Sequence, residues 1–164
     1  MTRNSKIFYL WLTFAFFTFL DFYFSSLIAN YIYTKGSIQN SIFSLIYVKN
    51  TGAAFSILEN ETTILIVFSL AALFWILHWS LINLKQLGSV FIFWTSLLCS
   101  GIICNLYERV HYGFVTDFFK LNFVNFPVFN ISDVFINLAV FAILILVITK
   151  NCYKKWLKLL QTNP

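Results

Sequence analysis

Asp117 and Asp133 stand sixteen positions apart, in "VTDFF" and "ISDVFI", each among apolar neighbours. Charge is expensive in such surroundings, roughly 2.5 to 3.5 kcal/mol near the centre of a bilayer and less at its surface. Two carboxylates that meet there tend to hold one proton between them. One can then take a proton from water while its protonated partner polarises a carbonyl, the chemistry of peptide hydrolysis by paired aspartates. Asp133 opens an apolar run, and the positive end of a helix starting there favours a charged carboxylate. Asp133 is therefore expected to be the more acidic member. A plainer role stays open beside this one, because acids at helix starts are often solvated or serve in the N-terminal cap.

The pair can work only if the chain brings both acids to one surface, and the composition says what kind of chain does so. Its 164 residues are 60% hydrophobic, 21% aromatic and 10% charged, with a mean hydropathy of +0.80. Water-facing domains carry roughly 25% charged residues, so the class is integral membrane protein. A crossing helix needs about 20 mostly apolar residues, and four stretches qualify: residues 7–29, 62–84, 89–110 and 134–149. The first continues well past the apolar core of a cleavable signal and is expected to be retained. The link "NLKQLGS" makes the second and third an antiparallel hairpin. With both termini cytoplasmic, Arg3, Lys6, Lys85, Lys150, Lys154, Lys155 and Lys158 lie inside, as the excess of positive charge on that side requires. Asp21, Glu59, Glu61, Glu108, Asp117 and Asp133, all the acids of the chain, then fall in the outer half. Any chemistry belongs at the outer surface, where antiparallel third and fourth helices return Asp117 and Asp133 together. No repeat or linker divides the chain, so residues 1–164 are expected to form a single domain.

The loop over residues 30–61 is too long for a connector. Its stretches "YIYT" and "SIFSLIYV", with "NTG" as a turn, predict a small β-structure on the outer membrane surface between helices 1 and 2. Within it, "NTGAAFS" is either an ordinary turn or a place where small residues let backbone approach a ligand. Cys99, Cys104 and Cys152 show neither a disulfide framework nor zinc spacing. His78 has no second metal-type residue at helical spacing, and His111 reads as a water-facing interfacial residue. Ser96 and Ser100 lack an adjacent base and suit helix packing. A net charge of +5 without a basic face excludes nucleic acid as a partner. A channel or carrier is poorly supported, since the ionisable residues draw no path across the bilayer.

Taken in order, "VKNTGAAFSIL", "CNLYERVHYGFVTDFF" and "FPVFNISDVFI" resemble the bacterial lipoprotein signal peptidases, or type II signal peptidases. That family shows V-x-N-x-G-A-A-F-S, then G-N-x-x-D-R with a following G-x-V-x-D-F, then F-N-x-A-D. The resemblance spans nearly the whole chain. It implies an all-α membrane protein of four transmembrane helices with an extracytoplasmic β-cradle, embedded in the bacterial cytoplasmic (inner) membrane with its active site at the extracytoplasmic face. It implies an aspartyl endopeptidase that needs no metal and no cofactor. Its substrates would be diacylglyceryl-modified prolipoproteins cut just before the lipidated cysteine, and its inhibitor globomycin. A monomer among membrane lipids is expected. By position, Asp117 and Asp133 would be the catalytic dyad. Asn50, Gly52, Ala53 and Ala54 would belong to the substrate cradle, Phe55 would anchor it, and Asn105, Arg109 and Asn130 would be polar supports. Asp21 stands where the family has an acid, either as a working residue or as a buried hydrogen-bond partner, but "FYFS" follows it in place of the family's Q-x-x-K. Glu108-Arg109 replaces D-R, Cys104 replaces the glycine before Asn105, which puts tight helix packing there in doubt, and Asn137 stands where a small residue is common. A non-catalytic relative that binds lipidated peptides is the alternative.

Overall fold

Each of the four apolar segments is a helix in the computed structural model, which describes residues 1–53 and 57–162 of the chain, with side chains to residue 150. Helix α1 runs over Arg3–Lys35, α2 over Thr62–Asn83, α3 over Ser89–Tyr112 and α4 over Ile131–Thr162. All four are long and apolar enough to cross a membrane, with mean hydropathies of 1.6, 2.2, 1.8 and 2.7 over their most apolar stretches. Local chemistry sets their ends. Thr2 Oγ1 accepts the Ser5 N–H at 3.2 Å at the start of α1, and Gly36, at φ 86°, closes it with its N–H on the Ile32 carbonyl. Helix α3 ends the same way at Gly113, whose φ of 78° is the left-handed conformation glycine adopts freely. "YIYT" lies inside α1, a correction to the β-structure expected there. Its β-branched and aromatic residues do not outweigh continuation of a helix already formed, and the chain turns only at the next glycine.

Helix α3 is the centre of the bundle: 61% of its most apolar stretch is buried, against 11% for α1 and for α4. Three devices hold the others to it. Ser96 Oγ donates to the Leu10 carbonyl at 3.1 Å, and Thr18 Oγ1 to Ser100 Oγ at 3.3 Å, which stitches α1 to α3. Lys6 Nζ donates to the carbonyls of Leu84, Lys85 and Leu87 at 3.1, 3.0 and 2.6 Å, so one ammonium caps the end of α2 and ties the start of α1 to the α2–α3 link. Gly101 lets α4 press in: a Cβ there would sit 2.6 Å from the Ser132 carbonyl oxygen and 2.8 Å from Ile136 Cγ1.

At the opposite end lies a three-stranded antiparallel sheet in the order β1 (Ile38–Gln39), β2 (Phe43–Asn50), β3 (Val115–Leu121). The expected β-structure between helices 1 and 2 is there, but it is completed by a strand from the loop after α3. Val48 pairs with Asp117 and Asn50 with Val115, beyond an irregularity between Leu45 and Val48. "VTDFF" carries β-branched and aromatic residues at a sheet's spacing, and β3 buries Val115, Thr116, Asp117 and Phe118 in succession. The loop beyond folds back, with the Phe118 and Phe119 N–H groups donating to the Phe129 carbonyl at 3.1 and 2.9 Å. That return delivers Asn130 to the start of α4.

Candidate active site

Asp117 is held by the sheet. In antiparallel pairing Val48 lies opposite it, so Asn50, two residues on, shares its face. Asn50 Nδ2 donates to Asp117 Oδ2 at 2.9 Å, while Asn50 Oδ1 accepts the Gly52 N–H at 2.9 Å. One asparagine thus makes the "NTG" turn and supports the carboxylate. Asp117 is 1% exposed, and its Oδ1 is buried without a partner among the described residues. Burial above all, then the nearby Asp133 and Glu108, pushes the Asp117 carboxyl up to about 7; Asn50 and Arg109 only offset part of that rise.

Asp133 is held by the first turn of α4. The Asn130 Oδ1 accepts the Asp133 N–H at 2.8 Å, and Asp133 Oδ2 accepts the Asn130 N–H at 3.2 Å. This reciprocal pairing is the capping-box arrangement with asparagine and aspartate in its two places. The remaining oxygen, Oδ1, accepts from Asn105 Nδ2 at 3.0 Å, and Asn130 Nδ2 donates to Asn105 Oδ1 at 2.9 Å. The cap role and a site role are therefore compatible in one residue. The Asp133 carboxylate has two donors and a helix N-terminus around the charged form, whereas Asp117 has one donor and, among the described residues, a buried oxygen without a partner.

Both carboxylates line one cleft of about 880 Å³, together with Asn50, Gly52, Ala53, Asn105 and Arg109. Arg109 Nη2 donates to the Gly52 carbonyl at 2.9 Å and Nη1 to the Asn105 carbonyl at 3.4 Å, so the guanidinium bridges the α3 side of the cleft to the β2–α2 loop. Gly52 packs closely against its own loop, where a Cβ would meet the Ile57 carbonyl oxygen at 3.0 Å. Ala54 and Phe55 lie outside the described residues. Val128, Phe129, Val134 and Leu138 give the cleft an apolar wall, and Lys49, 4.8 Å over the Phe114 ring, stands on its rim with Glu59.

Asp21 is brought near the pair but does not line the cleft. It is 4% exposed, and its Oδ2 accepts from Ser132 Oγ at 2.6 Å and its Oδ1 from Ser25 Oγ at 3.4 Å. It reaches the site only by its hydrogen bond to Ser132, the residue before Asp133. Asn130 also stands behind the cleft, joined to it through Asn105 and Asp133. Glu108 and Arg109 turn to different partners: Glu108 Oε2 accepts the Thr116 N–H at 2.5 Å, fixing the strand residue before Asp117. Cys104 is buried, and the close α3–α4 approach falls one turn earlier, at Gly101. His78 stacks on Phe74, and His111 on Tyr107 with its Nδ1 2.9 Å from the Tyr107 carbonyl. Among the described residues no three His, Cys, Asp or Glu side chains converge as metal ligands do. Sequence reasoning overlooked Ser132 and Gly101; the Asn130-to-Asp133 spacing of a capping box was the available signal for that turn.

Three membrane-length helices around a central fourth, α3, with two carboxylates facing one cleft beneath a small sheet, define a multi-pass membrane protein whose site is built at one end of the bundle. Two solved structures described as bacterial membrane enzymes share the fold. One matches with a TM-score of 0.75 at 24% identity, covering 92% of each chain. The other has a TM-score of 0.72 at 26% identity, covering 88% of this chain and 92% of that one. A family model described as signal peptidase (SPase) II matches residues 13–149. The chain belongs to the signal peptidase II family, and is thus a peptidase of a bacterial membrane. Proteins named lipoprotein signal peptidase resemble it over most of their length. That of Buchnera aphidicola subsp. Schizaphis graminum is 35% identical, covering 90% of this chain and 97% of its own. That of Caldanaerobacter subterraneus subsp. tengcongensis is 38% identical, covering 74% and 83%.

Proposed function

We propose that the protein is a membrane-embedded aspartic endopeptidase that removes the signal peptide from diacylglyceryl-modified prolipoproteins, cutting just before the lipidated cysteine. The observation that carries this is the unequal pair in one cleft: Asp117, buried, with its carboxyl pushed up to about 7, and Asp133, ringed by donors to its charged form. Family membership and the names of the relatives support the substrate class. The apolar wall suits a signal peptide and a lipid-bearing cysteine.

In this reading the charged Asp133 takes a proton from water as its oxygen attacks the scissile carbonyl carbon. Protonated Asp117 gives its proton to the carbonyl oxygen. The tetrahedral diol then collapses: the carbon–nitrogen bond breaks, the leaving amine takes the proton from Asp133, and a diol hydroxyl returns one to Asp117. Arg109 and the asparagines hold the geometry, with Asn50 and Gly52 presenting the cradle edge to an extended peptide. The basic residues at the other end of the bundle support a site at the extracytoplasmic face of the cytoplasmic membrane. The protein acts as a monomer, and globomycin blocks it by occupying the cleft.

The test is cleavage of a diacylglyceryl-modified prolipoprotein by purified protein, followed as a gel shift, with Asp117→Asn and Asp133→Asn beside it. A shift abolished by globomycin and by either substitution supports the reading. Substrate bound but left uncut by the unaltered protein would make it a binder of lipidated peptides instead.

A further inference from the structure

Between Val134 and Ile148, Asn137 is the one residue that is not apolar. It stands one helical turn beyond Asp133 on α4, exposed, and lines the same cleft between Val134 and Leu138. Its Nδ2 donates to the Asp133 carbonyl at 2.8 Å. That carbonyl already accepts the helical bond from the N–H four residues on, so the extra bond relieves nothing. Asn137 Oδ1 and the second Nδ2 hydrogen have no partner among the described residues. A polar side chain that knits spans together reaches a neighbouring helix, and this one does not. An amide held open in a membrane-spanning helix is costly unless something regularly meets it.

We propose that Asn137 is a subsite for the substrate's peptide backbone on the membrane side of the two aspartates. The inference rests on the peptidase reading above and extends it to the segment before the scissile bond. A primary amide offers one acceptor and one donor in a plane, the same pair that a peptide group presents in reverse; an acyl chain offers neither. A peptide unwound for cleavage exposes backbone N–H and C=O groups, and in lipid each costs several kcal/mol if left unpaired. Helix α4 runs inward from the outer surface, so Asn137 lies about 6 Å deeper than Asp133 at 1.5 Å per residue. At about 3.3 Å per residue of extended chain, that depth matches the peptide group some two residues before the cut, on the signal-peptide side. The apolar wall of Val128, Phe129 and Leu138 is left for side chains.

The experiment compares unaltered protein with Asn137→Leu and Asn137→Ala on synthetic diacylglyceryl lipopeptides, N-methylated singly at each of the three peptide bonds preceding the scissile one. Loss of one neutral hydrogen bond predicts KM raised roughly three- to tenfold in both variants, with kcat little changed. One methylation should raise KM for the unaltered protein and have no further effect in the variants. Unchanged KM in a folded variant, or methylation effects that simply add to the substitution at every position, overturns the subsite and leaves the peptidase reading intact. Failure of the unaltered protein to cut the unmethylated lipopeptide overturns both.

Discussion

The two aspartates differ in what surrounds them, and that difference sets the pH behaviour. In the proposed mechanism Asp117 is protonated to donate, so kcat/KM should fall as pH rises past about 7, the value to which burial pushes its carboxyl; a pH–rate profile checks this. Stability follows by linkage. Native Asp117 keeps a proton that the unfolded chain releases near pH 3.8. Its contribution is therefore full below that pH, declines as pH rises, and is gone above about 7. Asp117→Asn cannot ionise, so its melting temperature relative to the unaltered protein should climb between pH 4 and 7 and then level off, while cleavage is lost. Asn130→Ala removes an N-cap side chain, which costs about 1 kcal/mol, and also frees Asp133; kcat should drop more than KM changes. At this scale the sequence brought out the two acids that share the cleft, because carboxylates in apolar surroundings stand out in so uncharged a chain. It did not separate a cap role from a site role at Asp133, since one side chain serves the turn and the cleft through different oxygens. Nor could it assign Ser132, an unremarkable hydroxyl until α1 places Asp21 against it.

The elements depend on two contacts far from the chemistry or behind it. Gly101→Val would drive side-chain atoms into the first turn of α4. Overpacking of this kind costs about 1 to 3 kcal/mol, and because that turn carries Asp133, activity should fall with stability; thermal unfolding in detergent and the cleavage rate read the two together. Lys6→Met leaves three carbonyls of the α2–α3 link without their shared donor. It should lower the melting temperature by several degrees with KM unchanged, since the substitution lies at the end of the bundle away from the cleft. Helix positions were readable from apolar run length: all four were found, α2 and α3 to within a few residues. Helix α1 extends further, to its cap at Gly36, and α4 starts earlier, just after its cap at Asn130, because glycine and cap chemistry rather than hydropathy set those ends. The third strand escaped notice since its partner lies some seventy positions earlier, and pairing at that distance leaves no local trace.

For the molecule as a whole, the acids gather at the sheet end and Lys6 meets Lys85 at the other. Single cysteines at Lys85 and Glu59, in a background lacking the native ones, should react with an impermeant maleimide only from the cytoplasmic and only from the outer side, respectively; the reverse pattern would invert the topology. The sheet joins residues 43–50 to residues 115–121, with two membrane crossings between them. A growing chain therefore has Asn50 in place long before the partner of that asparagine exists. Asp117 arrives only after α3 has crossed, and Asp133 only as the last crossing begins. Until α4 inserts, the chain lacks one of the two cleft aspartates, so in the proposed reading hydrolytic competence switches on late, with the last crossing.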